Sequence, residues 1–367
     1  MDILVIGNGF DLAHGLKTTY KDFLLACQND KLPDEFKEFC QTNVWLKHFL
    51  TRNVNSNEEF GETWIDLEEE IFKVIEHINK VIFWNIDKQY YNCKSLNIFK
   101  KGFYFDFFNI VDNLQDGRYY QDFGKQGYII PNPNLENYKI YFKTLKGFTN
   151  FLYDQLKEFT YAFEHYLDKI ILSNLDTKSK YTLSLQSGCK ILYVLSFNYT
   201  DTCERLYGKD FDIKPYYVHG KINCNNDTCK LVLGTHSFHN KPQNGNQRRA
   251  IPYEFNVFRK HNQRHKYGTI EDYQNLLKEL TKYGKVIKPV FHVIGHSLDE
   301  TDKNILEHLF LINQNAIINI YYHNEEAQEN YINNITDIIG EKEVMTRVRL
   351  IYQHDKTRGI LKEKVNV

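Results

Sequence analysis

The sequence predicts an α/β fold: a mostly parallel sheet with helices on both faces, and a large helical insertion after its first strand. Three observations carry this expectation. Ile3 to Ile6 is a short all-apolar run ended by Gly7, as a strand buried on both faces is. Apolar residues then recur at helical spacing from Asp34 to about Ser184. Beyond that point apolar runs alternate with helical stretches, the pattern of parallel strands joined by crossover helices. The first strand is therefore cut off from its sheet by helical sequence. Residues 1–33 and 185–367 are expected to form one domain, and residues 34–184 a mainly helical subdomain or cap inserted into it.

Within the insertion, WIDLEEEIFKVIEHINKVIFW places Trp64, Leu67, Ile71, Val74, Ile75 and Ile78 on one helix face. FTNFLYDQLKEFTYAFEHYLDKIIL does the same with Phe151, Leu152, Leu156, Phe159, Phe163 and Leu167. Between them, the Tyr-, Asn- and Gly-rich stretch from Gly102 to Asn137 favours no one type of secondary structure. In the second half the expected strands are CKILYVLSFNYT, PYYVHGKI, KLVLGTH, VFHVIGHS, INIYYHN and RVRLIYQH. The expected helices run from Thr269 to Tyr283, Glu300 to Leu311 and Glu325 to Ile338.

A chain of 367 residues has room for one large domain or two modest ones. Its 46 Lys and Arg balance 47 Asp and Glu, so net charge gives no reason to expect a nucleic-acid or membrane-surface binder, although a local basic patch stays open. Seven irregularly spaced cysteines do not form a disulfide framework. Cys224 and Cys229 are close, but the turn-like NNDT between them reads as a hairpin, and a zinc site needs a second pair. No run approaches the ~18 apolar residues of a membrane span. The first residues read as a strand rather than a signal peptide, which implies a cytoplasmic protein.

Four apolar runs end in small or polar residues, and in an open parallel sheet ligands bind at such carboxyl ends. In the first, Gly7-Asn8-Gly9-Phe10-Asp11, two glycines let the backbone turn sharply and approach a phosphate, or simply serve a strand-to-helix turn. Leu12 stands where a dinucleotide fingerprint has its third glycine. Asp11 and His14 share one side of the helix, and Asp11 suits a ribose hydroxyl or a backbone N–H. In the second, Asn198 caps the next helix with Asp201 reaching back, or it offers its amide to a water or sugar hydroxyl. In the third, His219 before Gly220 is either a satisfied side chain or a base within reach of a ligand. In the fourth, Ser297 and Glu300 form a capping box ahead of a helix holding Ile305, Leu309 and Ile312. That helix end can also face a ligand with Gly295, Ser297, Asp299 and Asp302. In the insertion, Asp66 and Glu69 or Glu70 share a face, as a solvated charge run or as a carboxylate pair aimed at the cleft.

GNGFDLAHGLKTTYKDF, WIDLEEEI, SFNYTDT, VHG, LVLGTH and IGHSLDETDKNIL together resemble the AbiH family of bacterial phage-resistance proteins. The family is in turn distantly similar to the sirtuin-like Rossmann superfamily, several defence members of which hydrolyse NAD. On that pattern Gly7 and Gly9 match the Gly-rich first turn, Asn198 the central asparagine, His219 the His-Gly, and Gly295 and Ser297 the late Gly-x-Ser. The first turn departs from Gly-Ala-Gly and its following serine, Asn198 precedes Tyr-Thr-Asp, and the four-cysteine zinc module is absent, which argues against deacylation.

The resemblance implies an antiphage NAD glycohydrolase-like enzyme, with NAD as substrate rather than cofactor and no metal. Asn198 and His219 are the expected catalytic residues. Gly7, Asn8, Gly9, Asp11, His14, Gly295, Ser297, Asp299 and Asp302 are the expected nucleotide contacts, and the helical insertion the expected gate. Expected partners are a small-molecule nucleotide, a phage-derived trigger and a second copy of the chain, with no membrane or nucleic acid. Two other readings stay open: a metal-dependent nuclease or phosphodiesterase using Asp66, Glu69, His219 and Asp299, and a non-catalytic nucleotide sensor.

Overall fold

The computed structural model describes residues 1–55, 67–76, 78–79, 103–105, 129–130, 139–142, 145–176, 180–185, 191–223, 229–236, 251–283, 288–355 and 358–364. Its centre is a six-stranded parallel sheet of β1 (Asp2–Ile6), β6 (Ile191–Ser196), β7 (Asp212–Tyr217), β8 (Val290–Ile294), β9 (Ile317–Tyr322) and β10 (Val348–Tyr352). The strands lie in the order β10-β9-β8-β1-β6-β7. Numbered as they enter the sheet this is 3-2-1-4-5-6, the order of a doubly wound Rossmann sheet, with its reversal between β1 and β8. All pairings are parallel, and Val5 sits between Leu195 and Val293.

Both faces of the sheet are covered, as its largely apolar central strands require. Ile3 and Val5 pack on one face with residues of α9 (Thr269–Tyr283), α10 (Lys303–Ile312) and α11 (Glu325–Ile339). Leu4 and Ile6 pack on the other with Phe10 of α1 (Asn8–Ala13) and Cys203, Leu206 and Tyr207 of α7 (Thr202–Tyr207). Each such aliphatic side chain, fully buried, contributes roughly 1.5–3 kcal/mol of transfer free energy.

A third core belongs to the helical layer. It joins α2 (Tyr20–Gln28), α3 (Lys37–Thr42), α4 (Val44–Asn55), the helix of residues 67–76 (α5) and α6 (Leu145–His165). Leu67, Ile71, Val74, Ile75 and Ile78 are all buried in it, as are Leu152, Leu156, Phe159, Phe163 and Leu167, while Trp64 lies outside the described residues. The same core takes in Ile222, Leu231, Leu233, Phe255 and Phe258, so chain from both sides of the sheet sequence closes over the helical layer. Within residues 102–137 the described pieces are β2 (Phe103–Phe105) and β3 (Ile129–Ile130), which flank β4 (Lys139–Phe142) in an antiparallel sheet. A further antiparallel pair joins β5 (Tyr181–Leu183) to β11 (Leu361–Glu363). Among the described residues no helix is long and apolar enough to cross a membrane.

Four local expectations are corrected. KLVLGTH is not a strand. Its backbone is held by a side chain, the Leu233 N–H donating to Gln263 Oε1 at 2.9 Å and Gln263 Nε2 donating to the Leu233 carbonyl at 2.8 Å. The strand expected in PYYVHGKI begins earlier and stops at Tyr217, leaving Val218 and His219 in a turn. The Ser297–Glu300 box does not form, because α10 starts at Lys303 with Asp302 at its N-cap, and the Asp302 carboxylate does not cap it. Asp201 likewise stands at the N-cap of α7 without capping it, its carboxylate paired with Arg205 and Lys221.

Candidate functional site

The reversal between β1 and β8 brings the turn Gly7–Gly9 against the turn Gly295–Ser297. The Gly7 N–H donates to the Ile294 carbonyl at 3.2 Å and the Gly9 N–H to the Gly295 carbonyl at 2.8 Å. A Cβ on Gly7 would lie 2.6 Å from the Gly295 carbonyl oxygen, and one on Gly295, whose φ is +63°, 2.1 Å from the Phe10 nitrogen. These glycines are required because two backbone turns touch. The N–H groups of Gly7 and Gly9 are satisfied within the protein.

Above this seam lies a cavity of about 640 Å³, within the usual range for a small-molecule site. Gly7, Asn8, Gly9, Gly295, His296 and Ser297 form its floor, and Leu12, Ala13, Ala327 and Tyr331 belong to its apolar wall. Leu12, at the position of the absent third glycine, is therefore part of the cavity. The wall also carries Glu68 from α5, His219 from the end of β7, Lys260 from α8 (Lys260–Tyr267) and Asp302.

These last four groups form one buried network. Asp302 accepts from Arg264 Nη2 at 2.7 Å and His219 Nε2 at 3.2 Å, and lies 3.4 Å from Lys260 Nζ. Lys260 reaches across to Glu68 at 2.6 Å. His296 joins from the floor, its Nε2 3.9 Å from Asp302 and its Nδ1 accepting from the Leu298 N–H at 2.9 Å. Leu298 is held at a positive φ of 59°, which folds this loop back beneath the cavity. Because a carboxylate accepts only, Asp302 fixes the hydrogen of His219 on Nε2. Among the described residues His219 Nδ1 is left as a buried acceptor without a hydrogen-bond partner, on a residue of the cavity wall.

Burial favours neutral forms, and the local charges decide each case. Burial tends to raise the Asp302 carboxyl, but Lys260, His219 and Arg264 together pull it well below the usual carboxylate range. For Glu68 burial dominates and pushes the carboxyl up to about 7, with Lys260 opposing and Asp302 adding repulsion. Burial pushes His219 down to about 3 and His296 down to about 4, against the pull of Asp302. Both imidazoles are therefore neutral at physiological pH.

The expected site residues divide sharply. Gly7, Asn8, Gly9, His219, Gly295, Ser297 and Asp302 meet at the cavity. Asn198 does not line it, because its Nδ2 donates to the Gly7 carbonyl at 2.9 Å and braces the turn from beneath. Asp11 is buried away from it, accepting from Thr200 Oγ1 at 2.5 Å, and burial raises its carboxyl to about 6. His14 donates from Nδ1 to the Phe10 carbonyl and accepts from the Tyr207 hydroxyl, both at 2.7 Å, so it ties α1 to α7. Asp11 and His14 thus serve different packing contacts. Asp299 accepts from the Thr301 N–H at 3.3 Å and does not line the cavity. Glu69, half-buried on α5, is raised by burial, with Asp299 and Glu300 adding repulsion, and it too lies off the cavity wall. Asp66 lies outside the described residues. Among the described residues, no group of three His, Cys, Asp or Glu side chains is placed to hold a metal ion.

Sequence reasoning missed Glu68, Lys260, Arg264 and the role of His296. Glu68 had a legible signal, since it stands three residues before Ile71 and seven before Ile75 and so shares their buried face. Lys260 and Arg264 had none: KHNQRHKY reads as a solvated helix, yet both side chains are buried.

The model of one protein family, bacteriophage abortive infection AbiH, matches residues 3–323, a span that takes in the cavity floor and the Glu68, His219, Lys260 and Asp302 network but not Ala327 and Tyr331. No curated protein and no solved structure matches the chain. The chain therefore belongs to the bacteriophage abortive infection AbiH family, whose role is defence against phage.

Proposed function

We propose that the chain is a hydrolase that cleaves the N-glycosidic bond of NAD or a related nucleotide in the cavity above the β1–β8 seam. The observation that carries this reading is His219, a residue of the cavity wall: Asp302 holds its Nε2–H, and its buried Nδ1 has no hydrogen-bond partner among the described residues. A free acceptor on this residue suits a ribose hydroxyl, whose polarisation helps the anomeric carbon carry positive charge as the bond to the base breaks. The position at a strand-order reversal and the cavity's size also fit a nucleotide-sized ligand. In this reading Asn198 acts indirectly, holding the Gly7 carbonyl and thereby the cavity floor. Loss of the cell's NAD on infection would account for abortive defence.

The test is release of nicotinamide from NAD, or of free base from a nucleotide panel, by purified protein. His219→Ala, with unchanged thermal unfolding, is expected to lower the rate by about 10²–10⁴-fold. Equal rates in wild type and variant would sink the assignment of His219.

A further inference from the structure

We infer that Glu68, supplied by the helical layer, is a second catalytic residue of this cavity and takes the proton from the attacking water. This role rests on the hydrolase reading above. Glu68 is 3% exposed, belongs to the same cavity wall as His219, and is joined to it through Lys260 and Asp302. Of the groups in that chain, Asp302 is committed to two cations and an imidazole and gives up its proton affinity to them. His219 spends Nε2 on Asp302 and is too weakly basic to collect a proton from water. Among the described residues Glu68 is ion-paired with Lys260 alone, Arg264 adding a weaker pull, and its carboxyl titrates at about 7, where a base both exists ionised and holds a proton. Lys260 is shared, so when Glu68 becomes neutral the lysine keeps the Asp302 carboxylate as its counter-charge.

The step balances. The bond from the anomeric carbon to the base nitrogen breaks, and its electron pair leaves with that nitrogen. The water oxygen bonds to the anomeric carbon, and one water proton passes to the Glu68 carboxylate and then to solvent. For NAD the products are ADP-ribose, neutral nicotinamide and a proton. His219 and Asp302 come from the sheet sequence and Glu68 from the insertion, so the site is complete only while α5 is docked.

The experiment is steady-state hydrolysis of NAD and the nucleotide panel from pH 5.5 to 8.5 by wild type, Glu68→Gln, Glu68→Asp and His219→Ala. Wild-type kcat is expected to rise with pH through about 7 and then level off. In Glu68→Gln kcat falls by about 10²–10⁴-fold, KM changes little, and the pH limb disappears. Azide, a nucleophile that needs no deprotonation, restores turnover to Glu68→Gln as the ribosyl azide, but not to His219→Ala. Glu68→Asp retains the pH limb at reduced rate, which keeps the test usable if the glutamine variant does not fold. A folded Glu68→Gln with wild-type kcat and pH profile overturns the role of Glu68 and leaves the hydrolase reading standing. A wild-type chain that turns over no nucleotide in the panel overturns both.

Discussion

Asp302 and Glu68 flank the same lysine, are both buried, and are driven in opposite directions. Asp302 faces Lys260, Arg264 and two imidazoles and is held ionised, whereas Glu68 faces Lys260 across from another carboxylate and titrates near neutrality. Burial alone predicts the same behaviour for both. The difference lies in how many positive groups each carboxylate can use, and that divides the wall into a fixed charge and a group that exchanges protons. Asp11 extends the comparison: it is buried to the same degree, bonded to a hydroxyl rather than a cation, and raised to about 6.

The largest expected effect comes from removing the fixed charge. Asp302→Ala takes the carboxylate from buried Arg264 and leaves Lys260 with Glu68 alone, and is expected to lower stability by about 3–5 kcal/mol, read by denaturant unfolding. A loss below about 1 kcal/mol would mean that those cations reach solvent. Next is Asp11→Asn, which removes a buried charge that no cation among the described residues compensates. The stability that protonated Asp11 contributes is complete below its unfolded pKa of 3.8 and is lost as pH rises through about 6. The asparagine variant should therefore match wild type at pH 3.5 and exceed it by up to about 3 kcal/mol above pH 7. A variant less stable than wild type at pH 8 would instead give the Thr200 hydrogen bond the larger share. The smallest effect is the most diagnostic. Lys260→Met removes the cation that opposes burial of Glu68 most strongly, leaving the weaker pull of Arg264, and should move the alkaline-rising limb of activity up by about one pH unit without abolishing turnover. An unmoved limb would assign that titration to another group.

Much of the architecture was legible from pattern alone. The largely apolar β1, β8 and β9, the α9 helix and the apolar stripes of α5 and α6 follow from periodicity, because each buries its own residues against a flat or cylindrical neighbour. Expectations failed where a partner distant in sequence replaced a local one. Gln263 takes the place of a strand ladder for Leu233, and Arg264, Lys260 and His219 hold Asp302 just ahead of α10, which starts at Lys303, beyond the expected Ser297–Glu300 cap. The glycine turn was found for an incomplete reason: Gly7 and Gly9 are needed for contact with Gly295, a neighbour 286 positions beyond Gly9 that only strand order provides.

By itself, the sequence determined the family, the α/β class, and the polar strand ends at which His219, Ser297 and Asp302 sit, since local apolar period and turn residues report burial and chain reversal. Only the tertiary structure decided which of those residues share a cavity. It turned Asn198, Asp11 and His14 inward, and it drew Glu68 and Lys260 from polar-looking helices into the wall. The physical reason is that a charge is placed by its counter-charges, and here the partners of Asp302 lie on α8 and at the end of β7, where no spacing along the chain announces them.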